Sequence, residues 1–387
     1  VTAAPGALLV VGDVVTDVVA IHARPLAPAT DTPARIRTLP GGAGANAACW
    51  AARAGTAEVR LLARVGAESA RWHEQALLDA GVRPRLVVDP AEPTGTVVAL
   101  VDGDAERTFL TDSGAALRLS PADWEPELLD GAAHLHLSGY LFFADTSREL
   151  ALLALRAAGA RGVPVSVDPA SAGFLAALGP ERFLAAVAGA GVLLPNEDEA
   201  LLLAGLAKEA GPEGVARAAA ELSRRVPLVV VTRGAAGALI AEDGRVTAEV
   251  AAESARAVDS TGAGDAFTGG FLAARLAEAG STRPFRAGPC RPPHRAHRAA
   301  PRRLRRPPRR RRRPGPCSPG RPPCRWHRAG RCRPRRPRPR PLTTRPFRAG
   351  PCRPPHRAHR AAPRRLRRPP RRRRRPGPCS PGRPPRR

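Results

Sequence analysis

An α/β domain with a mostly parallel central sheet and helices on both faces is the fold class that residues 1–280 predict. Three observations carry that expectation. From Leu135 onward, short apolar runs alternate with helical patterns, as in a parallel sheet covered on both sides. Two glycine-rich turns, Pro40–Gly44 and Gly262–Gly264, each open an apolar helical pattern. Asp168, Asn196 and Thr232 stand at the carboxyl ends of strand-like runs, where open sheets of this class hold ligands.

Taken in order, Leu8–Val11 reads as a buried strand closed by Gly12-Asp13 and followed by Val14–Asp17. The next stretch, 18–39, is proline-rich, only partly apolar, and lies outside the predicted core. Residues 41–48 lead into a helix that ends at Ala54-Gly55. Thr96, Val98 and Leu100, then Thr108 and Leu110, alternate around Asp102-Gly103-Asp104, the pattern of an exposed hairpin. Strands are expected at 135–137, 163–168, 192–194 and 228–232, with helices near 147–158, 180–188 and 213–225 between them. A strand-like piece at 248–251 precedes the stretch 259–274. His134 and His136 alternate on a strand and read as structural.

The chain has 387 residues and a net charge of +29, but that average joins two unlike parts. Residues 281–387 hold 40 arginines and no lysine or acidic residue, which leaves 23 basic and 34 acidic side chains on the first 280. The basic pI therefore describes the C-terminal part and does not make the domain a nucleic-acid binder. The domain's single cysteine, Cys49, excludes a disulfide framework there. No apolar run approaches the roughly 20 residues of a membrane span, and Val1–Leu9 has no basic n-region. A cytoplasmic protein is expected. Against a depleted background, with no Met and three Ile, the two asparagines Asn46 and Asn196 both fall in candidate site motifs.

The most informative stretch is Asp259-Ser-Thr-Gly262-Ala-Gly-Asp265, running into Gly269-Gly270-Phe271-Leu272. A small-residue turn that opens a helix leaves backbone N–H groups free to meet an anion. Gly262 and Gly264 let that backbone approach a phosphate closely. Asp265, in the first helical turn, is placed to take a proton from a hydroxyl that attacks the phosphate. This string, with Gly41-Gly42-Ala43-Gly44-Ala45-Asn46-Ala47 upstream, resembles the two signatures of the ribokinase-like (PfkB-type) carbohydrate kinase family over residues of about 8–280.

That resemblance implies a ribokinase-like fold with a small β lid drawn from about 14–40 and 93–112. It implies ATP-dependent phosphorylation of a sugar or sugar-like alcohol, with Asp265 as base and the Gly262, Ala263 and Gly264 amides stabilising charge. Asp17, Gly41, Gly42 and Asn46 would bind the sugar; Ala43 stands where such kinases often carry Lys. Thr232, Gly234 and Gly237 would face the nucleotide, Asn196 and Glu199 would manage Mg²⁺, and Asp259 and Thr261 would help hold K⁺. Asn196–Glu199 also reads as an acidic helix cap. Nucleosides and sugar acids stay open as acceptors, as does a homodimer.

The segment 282–323 recurs identically at 344–385. So rich in Arg and Pro, and so poor in aliphatics, the region 281–387 is expected to be a disordered tail. It reads as GC-rich DNA translated out of frame and then duplicated, which would leave a catalytically impaired product of a frameshifted kinase gene. The alternative is a basic tail that grips nucleic acid through phosphates.

Overall fold

The computed structural model describes residues 6–103, 107–254 and 261–279. All of them belong to one compact unit, Val1–Arg303. In chain order its N-terminal elements are β1 (Ala7–Val11), β2 (Val15–Ile21), β3 (Arg35–Gly41), α1 (Ala43–Arg53), β4 (Val59–Gly66), α2 (Ala70–Asp79), β5 (Val82–Asp89), β6 (Thr94–Val101) and β7 (Arg107–Gly114). There follow β8 (Ala132–Ser138), α3 (Asp145–Ala160), β9 (Val165–Asp168), α4 (Ala172–Leu178), α5 (Pro180–Ala186) and β10 (Val192–Leu193). The last are α6 (Glu197–Leu203), α7 (Gly211–Leu222), β11 (Leu228–Thr232), β12 (Ala238–Glu242), β13 (Arg245–Val250) and α8 (Ala263–Ala279).

Nine strands form the central sheet in the order β13-β12-β11-β10-β9-β8-β1-β4-β5. Pairing is parallel from β5 to β11, and at the other edge β12 pairs antiparallel with both β11 and β13. Successive side chains of a strand point to opposite faces, so every fully buried strand feeds two cores. Leu9, Val11, Leu193, Val229 and Val231 pack against α3, α4, α5, α6 and α7 through residues such as Leu150, Leu175, Phe183, Leu201 and Leu222. Leu8, Val10, Val192, Val230 and Ile240 pack on the other face against Ala48 of α1, Leu77 of α2 and Leu272 of α8. Truncating one such leucine to alanine costs about 2–5 kcal/mol.

A second, four-stranded sheet has the order β3-β2-β6-β7. β2 pairs antiparallel with β3 and parallel with β6, and β6 pairs antiparallel with β7. Proline and charge along 18–39 do not prevent strand pairing here, because β3 stays exposed and β2 is only half-buried, so neither needs a continuous apolar run.

Strand β4 carries Arg60 and Arg64 within the central sheet. Arg60 donates to Glu58 and to the Leu128 and Asp130 carbonyls, and Arg64 bridges Asp89 at 2.9 Å and Asp123 at 3.0 Å. Every charge in that strand is therefore matched. Helices α1 and α8 pack closely at Gly269, where a Cβ would sit 2.6 Å from the Ala47 carbonyl oxygen and 2.7 Å from the Ala51 nitrogen. Only a glycine permits that approach. His134 and His136 are buried on β8 and share the Ser166 hydroxyl, each at 2.9 Å. Burial pushes both imidazoles down, to about 4 and about 3, so they are neutral structural groups.

Candidate active site

A cavity of about 880 Å³ opens over the carboxyl ends of the strands. Its lining draws on chain segments far apart in sequence, including Asp13, Asp17, Gly42, Asn46, Asp168, Asn196, Glu199, Thr232 and Thr261–Asp265. Its roof comes from the four-stranded sheet through Val15, Val97, Phe109, Thr111 and Ser113.

The glycine-rich turn before α1 is held from below by Asp13. Asp13 Oδ2 accepts from the Ala43 N–H at 2.8 Å, and Oδ1 accepts from the Gly44 N–H at 3.1 Å and the Ser138 hydroxyl at 2.7 Å. A carboxylate on the first amides of a helix satisfies orphan donors and suits the helix dipole. Gly42 has φ +106° and a would-be Cβ 2.5 Å from the Asp13 carbonyl, so the turn needs glycine there. Gly41 does not line the cavity. Its missing Cβ gives room to the Asp17 carboxylate, which would otherwise lie 2.2 Å away. Asp17 thus stands half-buried near the start of β2, its carboxyl pushed up to about 6 by burial and by Asp13.

Clamping α1 aims Asn46 across the cavity. Asn46 Nδ2 donates to Asp265 Oδ2 at 2.8 Å, joining residues 219 positions apart. Asp265 occupies the first turn of α8, next to Gly262, whose φ of +70° turns the chain into the helix. Burial raises its carboxyl to about 8, opposed by the Asn46 hydrogen bond and reinforced by Asp168, Asp13 and Asp17. Asp168 accepts from Thr268 Oγ1 at 3.0 Å and from the Ala170 N–H at 2.9 Å, and burial shifts it upward despite these donors. Sequence reasoning placed Asp168 at a strand end but assigned it no role, and it missed Thr268 on the second turn of α8. The signal was the helical spacing of Thr268 from Asp265, which puts both on one face.

Asn196 and Glu199 form a capping box at the start of α6: Asn196 Oδ1 accepts from the Glu199 N–H and Glu199 Oε2 from the Asn196 N–H, both at 2.9 Å. The helix-cap reading of this motif therefore holds, and both residues also line the cavity. Burial and Asp168 shift Glu199 upward. Among the described residues, no group of three or more His, Cys, Asp or Glu side chains forms a ready-made metal site.

Thr232 and Thr261 line the cavity, but Gly234 and Gly237 do not. Gly237 has φ +90° and a would-be Cβ 1.9 Å from the Val250 carbonyl oxygen, so the contact between strands requires it. Asp259 and the region 281–387, with its repeat, lie outside the described residues. Among the described residues no helix is long and apolar enough to cross a membrane.

With this geometry in place, comparison with known proteins is informative. The family model for pfkB family carbohydrate kinases matches residues 6–288. A fructokinase of Klebsiella pneumoniae is 32% identical over 278 residues, covering 69% of this chain and 84% of its own. A ribokinase of Haemophilus influenzae is 29% identical over 241 residues, covering 62% of this chain and 74% of its own. Among solved structures, a ribokinase of Cryptococcus neoformans in complex with ADP superposes with a TM-score of 0.61 at 25% identity, over 71% of this chain and 88% of its own. The fold is ribokinase-like, with the mostly parallel sheet and helical layers described above. The matched span takes in both glycine-rich turns and the cavity between them, and on that evidence the chain belongs to the pfkB family of carbohydrate kinases.

Proposed function

We propose that the protein transfers the γ-phosphoryl group of ATP to a hydroxymethyl group of a sugar or sugar-like alcohol. One observation carries this reading. Asp265, at the N-terminus of a 17-residue helix, shares a cavity and a hydrogen bond with Asn46 from the other end of the domain. A base and a set of helix-opening amides on one wall, with polar groups facing them, suit in-line transfer from a phosphate to an alcohol.

In the proposed reaction the Asp265 carboxylate takes the proton of the acceptor hydroxyl as its oxygen bonds to the γ-phosphorus. The bond from that phosphorus to the β–γ bridging oxygen breaks, and ADP leaves with the electron pair. The amides of Gly262, Ala263 and Gly264 face the charge that develops on the phosphoryl oxygens. Asp17, Gly42 and Asn46 orient the acceptor, and Gly41 makes room for the Asp17 carboxylate. Thr232 borders the nucleotide side. The ADP complex of the Cryptococcus ribokinase supports a nucleotide in this fold.

Hard oxygen donors in an acidic cavity fit Mg²⁺. Asn196 and Glu199 would hold it, through water, and it would supply the positive charge that the cavity lacks.

The test is Asp265→Asn in a coupled ADP-release assay with fructose, ribose and adenosine. A fall in turnover of about 10³-fold is expected, with an unchanged circular dichroism spectrum and melting temperature. Near wild-type turnover would refute the assignment.

A further inference from the structure

Charge in the cavity is one-sided. Asp13, Asp17, Asp168, Glu199 and Asp265 all line it, and among the described residues no Lys, Arg or His does. Burial already holds Asp17 at about 6 and Asp265 at about 8, so the cavity resists the negative charge it carries. By register Arg35, Arg37 and Arg107 stand on the same face of the four-stranded sheet as Asp17 and Val97, but none of them lines the cavity. The remaining lining on the lid side is apolar or hydroxylic: Val15, Val97, Phe109, Thr111 and Ser113. Opposite it, Tyr140 and Phe174 meet edge-to-face at 5.7 Å, and Phe143 stacks behind Phe174 at 5.1 Å.

From this we infer that the acceptor is an uncharged polyhydroxy alcohol with an apolar face, and that the site rejects sugar phosphates and sugar acids. The inference rests on the kinase reading and narrows it. A triphosphate brings a divalent cation and meets the N-terminus of α8. An anionic acceptor has neither, each carboxyl that ionises in this weakly solvated cavity repels it, and among the described residues no cation in the lining offsets it. The C–H face of a sugar ring suits the aromatic wall, and its hydroxyls suit Asp17, Asn46, Thr111 and Ser113.

The experiment pairs each free sugar with anionic derivatives that keep a hydroxymethyl group free: fructose with fructose 1-phosphate and fructose 6-phosphate, and ribose with ribose 1-phosphate and ribonate. ADP release and the thermal shift of the full chain are both recorded. The expected result is a kcat/KM about 100-fold or more lower for each anionic partner, with no shift of melting temperature by it. Thr111→Arg places a cation on the lid strand and is expected to narrow that ratio by about 10-fold. Comparable turnover or tighter binding of a sugar phosphate or acid overturns the inference and leaves the kinase reading standing. Binding of free sugars alone, without ADP release, supports the inference and removes the kinase reading. A panel in which no uncharged compound binds overturns the inference.

Discussion

Replacing Asn46 with alanine tests how the base is tuned. Burial holds the Asp265 carboxyl near 8, while the Asn46 amide, at 2.8 Å, opposes that shift. A hydrogen bond to a charged group contributes about 1.5–3 kcal/mol net. One pKa unit corresponds to about 1.36 kcal/mol, so losing the donor raises Asp265 by about one to two units, to roughly 9–10. Only the ionised carboxylate acts as a base. At pH 7 its population then falls from about a tenth to between a hundredth and a thousandth, a loss of about 10–100-fold in rate. The assay is initial-rate ADP release, with both substrates well below saturation, between pH 5.5 and 10.5. The acid limb is expected to move upward, and the deficit to shrink at high pH to what the lost acceptor contact leaves. A limb that stays in place while all rates fall would show that Asn46 contacts the acceptor without tuning the base.

Further outcomes follow from other parts of the site and core. Asp13→Ala removes three hydrogen bonds that fix the start of α1 and is expected to lower unfolding stability by about 3 kcal/mol, read as a lower denaturant midpoint at unchanged slope. Ser166→Ala strips His134 and His136 of their shared buried partner and should cost about 2–4 kcal/mol, measured the same way. Asp17 and Asp265 have folded pKa values raised above their unfolded ones, so their contribution to stability is complete below about pH 4 and is lost as pH rises through about 6 and 8. Added Mg²⁺ is accordingly expected to raise the melting temperature more at pH 8.5 than at pH 5.5, and an equal effect at both would count against a cation among these carboxylates.

The sequence revealed most where a local rule and the fold agree. Runs such as Leu8–Val11 and Leu228–Thr232 are apolar on both faces because both faces are covered, and they were legible as buried strands. The turns at Gly42 and Gly262 announced themselves because backbone of positive φ needs glycine. Residues 56–92 were not read as elements. In β4, Arg60 and Arg64 interrupt the apolar pattern, and the acidic partners of Arg64, Asp89 and Asp123, lie on distant segments, as do the Leu128 and Asp130 carbonyls that Arg60 meets. In β5, Arg83 and Arg85 blur the pattern in the same way. At the site, the residue types were legible but their division of labour was not. Asp13 reads in sequence as the close of a strand, and only its three donors identify it as the clamp of α1. Gly41 and Gly237 look like ligand-facing glycines, yet close packing of neighbouring groups accounts for both.

The absent side chain at Gly269 sets a distance as well as a contact. Asn46 rides on α1 and Asp265 on α8, so the gap between the helix axes works as the ruler for the reacting groups. A methyl group inserted there, one helical turn beyond Asp265, would wedge the two rods apart and stretch the amide–carboxylate link. The placement of the proposed base is therefore calibrated by an atom that the protein leaves out.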